Sequence, residues 1–458
     1  MRGIKKLFAP IDMTVGRPWE NILLFTVPML LGNIAQQLYN TVDSIVVGRY
    51  VGDNALAAVG SAGPILNLLL VLMVGVSTGA GIKVAQYFGA RDRDSLSKTI
   101  GNSIVLMLIA SLIISVVGVL VARPMLVLLR TPESIVDWCT SYLHILFIGF
   151  VGMGLYNILG GILRGLGDSV SALVYLLIAC ALNIVLDIWF VASFGMGVNG
   201  VALATAIAQT VSALLCARKL YSMKHLFDLG WEQLKLRKKY AATIIRLGLP
   251  SGITQGIMSM SMILVQSLTN TFGELMIAAN VIVMRIDGFA MMPNFSFAMA
   301  MTTFAGQNVG ARRPDRVREG SKQGTLMALA VSSLITVTLL FFGRYLMMIF
   351  TDTPELIERA NKMLRILAVG YIAMAVTQSF SGVMRGAGDT VTPMWISIVQ
   401  TIGLRMPLAY ILCYLTRSAE NVNGRWEMLP TSLMIAWVCG MLATCWFYKH
   451  GKWRNKLQ

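Results

Sequence analysis

Apolar stretches of about 20 residues recur along the whole chain, separated by short polar connections. Each stretch is long enough to cross about 30 Å of hydrocarbon as an α-helix. A membrane β-barrel would instead need short segments in which apolar and polar residues alternate, and the sequence lacks these. The pattern predicts an all-α polytopic membrane protein with twelve transmembrane helices, at residues 22–47, 55–84, 99–121, 135–160, 170–193, 200–217, 247–269, 275–304, 325–346, 360–384, 391–415 and 428–448.

The composition and the placement of charge agree with this prediction. Only 13% of the 458 residues are charged, whereas a soluble domain carries about 25%. Of the 38 Lys and Arg residues, 27 lie in connections or near the ends of spans on one side of the predicted membrane, nine do so on the other side, and two lie deeper within spans. This asymmetry predicts that both termini are cytoplasmic. The basic residues behind the net charge of +16 thus orient the chain in the membrane and do not indicate a nucleic-acid partner. We expect the chain to lie in the cell inner (cytoplasmic) membrane, in contact with membrane lipid.

The chain contains an internal repeat. An Arg-Gly-x-Gly-Asp motif begins at Arg164 and again at Arg385, and three further landmarks recur in the same order at offsets of 221 or 222 residues: Pro28 with Pro250, Gln86 with Gln307 and Thr131 with Thr353. Each repeat holds six predicted spans, so both halves enter the membrane from the same side as a parallel repeat. We therefore expect two six-helix bundles, with an N-terminal lobe at 1–218, a cytoplasmic linker at 219–240 and a C-terminal lobe at 241–458.

The Arg-Gly-x-Gly-Asp motifs are predicted to be structural. Their glycines can end one helix in the left-handed conformation, and the Asp that follows can cap the next helix. A glycine-rich phosphate cradle is the alternative, but the sequence has no GxxxxGK[ST] motif. The motifs therefore indicate tight cytoplasmic turns.

Two acids lie inside predicted spans of the first half, where an ionisable side chain is costly and usually functional. Asp43 is in span 1, Asp187 is in span 5 one helical turn after Asn183, and Thr205 is in span 6. Counted along the helices at about 1.5 Å per residue, these side chains share a depth of roughly 6–10 Å below the outer boundary. The sequence thus predicts that they lie close together.

The chemistry of this set points to a coupling ion. Oxygen ligands of this kind suit a hard cation such as Na⁺, and two desolvated carboxylates close together can instead carry protons. Pairing of each acid with a basic residue is the structural alternative, but no Lys or Arg lies at that depth in spans 1, 5 or 6. We predict a site for H⁺ or Na⁺, without any other cofactor, formed by Asp43, Asn183, Asp187 and Thr205.

Other polar residues within spans are assigned to a cavity, a bend and an ion pair. Polar side chains at helical spacing predict the lining of a substrate cavity, at Gln36, Asn40, Gln209, Gln255, Ser259 and Gln266. Pro28 removes a backbone hydrogen bond from span 1 and predicts a helix bend there. The second half has no acid at the positions equivalent to Asp43 and Asp187, and an interhelical ion pair such as Asp287 with Arg405 is the simpler interpretation of its charges.

Together these motifs resemble the multidrug and toxic compound extrusion (MATE) family. The resemblance covers nearly the whole chain and rests on Asn40-Thr41-Val42-Asp43, the paired Gln…Gly-Ala-Arg and Arg-Gly-x-Gly-Asp motifs, and Arg405-Met406-Pro407. It implies two lobes and export of amphiphilic, often cationic compounds driven by Na⁺ or H⁺. In the prokaryotic DinF-like branch the cation site lies in the N-terminal lobe, and its residues match Asp43, Asn183, Asp187 and Thr205. The NorM-like branch has acids near the positions of Met258 and Ala375, where this chain has none.

These observations favour one function over two others. We predict a secondary active antiporter, working as a monomer, that exports small amphiphilic cationic compounds in exchange for H⁺ or Na⁺ by alternating access. A lipid-linked saccharide flippase of the same superfamily is the alternative, although such proteins usually need a strongly cationic cavity. A membrane-embedded enzyme is disfavoured, because the chain has three histidines, no HExxH motif and no evident serine–base arrangement.

Overall fold

The computed structural model describes residues 9–128, 131–418, 422–451 and 453–454, and the long regular elements in these residues are all helical. The first half contains α1 (Pro18–Tyr50), α2 (Asp53–Gly89), α3 (Arg93–Leu128), α4 (Glu133–Ile148), α5 (Phe150–Gly165), α6 (Ser169–Ile188) with a π-helical turn at Trp189–Ser193, and α7 (Gly197–Ser222). The second half contains α8 (Trp231–Leu234), α9 (Lys238–Asn270), α10 (Glu274–Gly310), α11 (Pro314–Met348), α12 (Pro354–Gly386), α13 (Val391–Ile398), a π-helical segment at Val399–Arg405, α14 (Met406–Leu415) and α15 (Met428–His450).

The predicted all-α fold with twelve transmembrane helices is confirmed. Among the described residues, eleven helices are long and apolar enough to cross a membrane, and α4 with α5 make up a twelfth span that bends by 50°. The bend is at Gly149, where a β-carbon would lie 2.4 Å from the Cβ of Ala206 on α7. The sequence predicted one uninterrupted span at 135–160 and gave no sign of this bend, because close packing against another helix is a tertiary property.

Contacts divide the described chain into two compact units. Unit 1 consists of the described residues up to Asp12 together with Val27–Gly252, and unit 2 consists of Met13–Thr26 together with the described residues from Ile253 onward. Both α1 and α9 therefore pass from one unit to the other, at Val27 and at Ile253. Each crossing lies within three residues of a proline inside the helix, Pro28 and Pro250.

The two units depart from the predicted lobes at their boundaries. Residues 13–26 were expected in the N-terminal lobe but belong to unit 2, because the backbone N–H of Met13 donates to Gln307 Oε1 (2.8 Å) and Asn308 Nδ2 donates to the Met13 carbonyl (3.1 Å). Residues 219–252, expected to be linker and the start of the C-terminal lobe, belong to unit 1.

The predicted linker is an ordered part of unit 1. Arg93 at the start of α3 donates to both carboxylate oxygens of Asp228, at 2.8 and 3.0 Å. The same contact lowers the pKa of Asp228 through hydrogen bonding to the guanidinium. Asn102, two turns further along α3, donates to the Lys235 carbonyl (3.3 Å) and accepts from the backbone N–H of Arg237 (2.6 Å). The segment is therefore held on α3 by side chains of that helix.

The Arg-Gly-x-Gly-Asp motifs form the turns that their glycines predict. Gly167 has φ 91° and Gly388 has φ 86°, in the left-handed region that L-residues avoid. Asp168 Oδ1 accepts from the backbone N–H of Ser171 (2.9 Å), and Asp389 Oδ1 accepts from that of Thr392 (3.1 Å). The structural interpretation of both motifs is confirmed.

Glycines bring α2 into backbone contact with α9 inside unit 1. A β-carbon on Gly79 would lie 2.3 Å from the Ile244 carbonyl oxygen, and one on Gly248 would lie 2.4 Å from the carbonyl oxygen of Gly75. Helices in lipid gain little from burying apolar surface against each other, so close backbone approach at small residues is a main source of their attraction. These glycines therefore fix how closely the two helices pack.

Replacing Gly79 with alanine should destabilise the protein, because the added methyl group meets backbone that cannot move aside. We expect Gly79→Ala to cost about 1–3 kcal/mol, the usual range for overpacking, and to lower the melting temperature of the purified protein in detergent. The matched control is Gly60→Ala on the same helix, where an added β-carbon meets nothing within 4 Å. Equal melting temperatures for the two variants would contradict this view of the contact.

Candidate functional site

The site is built first on α6, whose last turns carry Asn183 and Asp187. Asp168 caps the helix at its start, and the spacing of four residues places both side chains on one face. Both are fully buried, at 0% exposure. A π-helical turn, Trp189–Ser193, follows Ile188 directly, and such turns often occur beside functional sites.

The amide of Asn183 joins α6 to α7. With its nitrogen facing Asp187, as the neighbouring donors and acceptors require, Nδ2 donates to Asp187 Oδ2 at 2.8 Å. In the same orientation Asn183 Oδ1 accepts from the hydroxyl of Thr205 (3.3 Å) and from its backbone N–H (3.2 Å). The amide therefore fixes the position of the Asp187 carboxyl group.

Helix α1 completes the site with Tyr39 and Asp43, which lie one turn apart. The Tyr39 hydroxyl is 3.2 Å from Thr205 Oγ1. Because the Thr205 hydrogen is given to Asn183, Tyr39 is the donor, and a directed chain of hydrogen bonds runs from Tyr39 through Thr205 and Asn183 to Asp187. Three helices of unit 1 are thus connected through one buried polar network.

The carboxyl groups of Asp43 and Asp187 lie within hydrogen-bonding reach of each other. Oxygen Oδ1 of each is buried without a hydrogen-bond partner. Among the described residues, the acids that form ion pairs with Lys or Arg do not include Asp43 or Asp187. Two adjacent carboxylates without a basic partner repel each other, so the arrangement requires a proton or a cation between them.

The predicted coupling residues are therefore brought together. The structure places Asp43, Asn183, Asp187 and Thr205 in one contiguous network, as the shared depth in the membrane indicated. Their role in coupling remains a prediction. No group of three or more His, Cys, Asp or Glu side chains that could hold a metal ion occurs in the described part of the chain, so any Na⁺ here would rely on amide and hydroxyl oxygens as well as the two carboxylates.

The predicted cavity-lining residues fall into two separate sets. In unit 1, Gln36 Nε2 donates to Asn40 Oδ1 (3.4 Å), and Gln209 Oε1 is buried without a hydrogen-bond partner one turn after Thr205. In unit 2, the hydroxyl of Ser259 donates to the carbonyl of Gln255 (3.1 Å). Gln266 donates to Asn270 Oδ1 (2.9 Å) and accepts from Asn280 Nδ2 (3.1 Å). Their assignment to a substrate cavity remains a prediction.

Two tyrosines of the site were missed by the sequence analysis. Tyr39 was detectable, because it precedes Asp43 by four residues and so shares its helix face. Tyr142 on α4 is buried and interacts electrostatically with Asp43 and Asp187. Nothing in the sequence indicated that the α4 surface faces this network, since helix packing is a tertiary property.

The expected ion pair between Asp287 and Arg405 is wrong. The Tyr371 hydroxyl donates to Asp287 Oδ1, and the ion pairs of the described residues do not include Asp287 with Arg405. Arg405 Nη1 instead donates to the hydroxyl of Ser261 at 3.4 Å. Tyr371, not Arg405, is thus the hydrogen-bond donor to Asp287. It is fully buried on α12, which packs against α10, the helix that carries Asp287.

Comparison with known proteins identifies the family. The family model described as MatE matches residues 28–189 and again 250–411, which also confirms the internal repeat. The chain belongs to the MATE family. Its members are transporters, not enzymes, and this MATE protein is accordingly a multi-pass membrane transporter.

Several relatives match this MATE protein over almost its full length. "Probable multidrug resistance protein YoeA" of Bacillus subtilis is 28% identical over 96% of this chain and 95% of its own length. "Probable multidrug resistance protein NorM" of Acinetobacter baylyi is 28% identical over 90% of this chain and 92% of its own length. Among solved structures, a MATE protein in the straight conformation is 26% identical, with TM-score 0.88 over 97% of this chain and 99% of that one.

The network predicts a modest role for the Tyr39 hydroxyl. In Tyr39→Phe the Thr205 hydroxyl loses one partner but keeps Asn183, at a cost of about 0.5–1.5 kcal/mol. Because this loss weakens ion binding, we expect the ion concentration for half-maximal efflux to rise by about two- to tenfold. The measurement uses dye-loaded vesicles under imposed gradients. Tyr50→Phe, which removes an exposed hydroxyl from the end of the same helix, should have no effect, and equal behaviour of the two variants would remove Tyr39 from the site.

Proposed function

We propose that this MATE protein is a secondary active antiporter of the cell inner (cytoplasmic) membrane. It exports small amphiphilic, cationic organic compounds in exchange for H⁺ or Na⁺ by alternating access, as a monomer. The observation that carries this proposal is the contact between the carboxyl groups of Asp43 and Asp187 without a basic partner. The multidrug-resistance names of the full-length relatives support the substrate class.

Antiport follows if the coupling ion and the substrate compete for the same negative charge. A bare pair of carboxylates is unstable in a low-dielectric region, so the site must hold a cation at every stage. A cationic compound can take the place of the coupling ion, and the ion can later displace the compound. The transporter then moves one or the other across the membrane but never both together.

A proton fits the described arrangement more directly than Na⁺. A hydrogen bond between two carboxyl groups needs a hydrogen on one of them, and the direct approach of Asp43 to Asp187 leaves the pair in that geometry. The oxygens of Asn183 and Thr205 are already engaged in the chain of hydrogen bonds. Na⁺ would have to part the carboxyl groups and draw those oxygens away from their partners.

Loss of either acid should abolish coupling. In proteoliposomes loaded with rhodamine 6G, a cationic dye, we expect wild-type efflux under an imposed pH gradient and a loss of at least about tenfold in Asp43→Asn and Asp187→Asn. Such a loss corresponds to about 1.4 kcal/mol, a small part of the cost of an uncompensated buried charge. A Na⁺ gradient imposed on the same vesicles identifies the ion.

The matched control is Asp352→Asn, which removes an exposed acid of unit 2 by the same substitution and should leave efflux unchanged. Wild-type efflux that survives in both Asp43→Asn and Asp187→Asn would contradict the coupling role of the pair. A wild type that moves no dye under either gradient would contradict the antiporter itself and favour the flippase.

Pro28 is proposed as the place where α1 bends during transport. The helix leaves unit 2 at Thr26, and Pro28 cannot donate the backbone hydrogen bond that would stiffen it there. Pro28→Ala should restore that bond and slow efflux by about two- to tenfold, while sparing dye binding, if bending is part of the cycle. Pro124→Ala provides the control, because Pro124 is also inside a helix but α3 lies wholly in unit 1; equal rates for both variants would exclude the bend.

A further inference from the structure

Unit 2 holds an arginine inside a membrane span that none of the preceding roles uses. Arg405 is the last residue of the π-helical segment Val399–Arg405, within the candidate span Val391–Leu415. Pro407 follows two residues later and has no N–H to donate, so the regular hydrogen-bonding pattern is interrupted beside Arg405. A guanidinium within a span is costly unless it finds acceptors.

The described residues offer Arg405 few acceptors. Its Nη1 donates to the hydroxyl of Ser261 at 3.4 Å, which is near the limit for a hydrogen bond. Asp287 is close enough to interact electrostatically, but it forms no ion pair with Arg405, and its carboxylate accepts the Tyr371 hydroxyl. Because a guanidinium carries several N–H donors in a planar fork, most of the donors of Arg405 have no protein acceptor among the described residues.

The internal repeat places Arg405 where unit 1 has its acid site. The matched segments 28–189 and 250–411 are offset by 222 residues at both ends. At this offset Ser261 is equivalent to Tyr39, and Arg405 is equivalent to Asn183. The Arg-Gly-x-Gly-Asp motifs are offset by 221 residues, so these equivalences hold to within one residue. One framework therefore carries two carboxyl groups in unit 1 and a guanidinium in unit 2.

We propose that Arg405 is a specificity-determining residue of unit 2, which binds the carboxylate of those transported compounds that carry one and so favours them over purely cationic compounds. Arginine binds carboxylates through two parallel hydrogen bonds, a geometry that few other side chains offer. This inference rests on the proposed export function, but it concerns binding and is testable apart from transport. Asp287, already near Arg405, competes with the carboxylate of the substrate.

Two dyes that share one fluorophore test the proposal. Rhodamine 6G is an ethyl ester with a net positive charge, and rhodamine 19 is the corresponding free acid, a zwitterion at neutral pH. Binding to the purified full-length protein is measured by fluorescence anisotropy. Arg405→Gln should weaken rhodamine 19 binding by about tenfold, the loss of one charge-assisted contact, and leave rhodamine 6G within about twofold. Arg405→Lys should recover part of the loss because it keeps the charge without the planar fork.

A second variant should act in the opposite direction. Asp287→Asn keeps an acceptor for Tyr371 but removes the competing negative charge, so rhodamine 19 should bind more tightly while rhodamine 6G does not. Arg285→Gln, which removes an exposed arginine of α10, is the matched control and should change neither dye.

Three results would overturn the proposal: equal weakening of both dyes in Arg405→Gln, which indicates a structural role; no effect on either dye; or no wild-type binding of rhodamine 19. Failure of the proposed export function gives a different result. Proteoliposomes would then retain the dye under every imposed gradient, while the effects of the variants on dye binding, measured by anisotropy, would remain.

Discussion

The exchange chemistry and the site geometry both depend on one constraint: two carboxyl groups approach each other in a part of the membrane region where no basic side chain compensates them. Asp43 comes from α1 and Asp187 from α6, and the Asn183 amide holds the second in place through Oδ2. Such a pair is stable only with a bound proton or cation. The requirement for a third positive species links the sequence of unit 1 to the exchange chemistry proposed for the protein.

Close contacts at glycines hold other helices of unit 1 together. Gly79 and Gly248 allow α2 and α9 to touch through their backbones, and Gly149 gives Ala206 on α7 room beside the bend between α4 and α5. Thr205 directly precedes Ala206 on α7, so the helix that contacts the bend also carries a residue of the site. Unit 2 repeats the framework with Arg405 at the position of Asn183, so the repeat carries a neutral amide in one unit and a guanidinium in the other at equivalent positions.

Much of this could be read from the sequence, and the failures have physical causes. Apolar length predicted the spans, and the motif offsets predicted the repeat, because both depend on local composition. Helical spacing brought Asn183 and Asp187 to one face, and the common depth suggested Thr205 and Asp43. The partners of Asp287 and the position of Tyr142 depend on which helix packs against which, and the crossing of α1 at Val27 depends on the contacts of residues 13–26. No local pattern encodes these.

The most direct test is to ask whether a substrate displaces a proton from the acid pair. Rhodamine 6G is added to purified protein in weakly buffered detergent solution that contains no Na⁺, so that the pair must hold a proton, and a pH indicator reports proton release. The account predicts release from the wild type and none from Asp187→Asn, in which the shared proton has no second carboxyl group to bind. Equal release from both proteins, or dye binding to the wild type without any release, would contradict it.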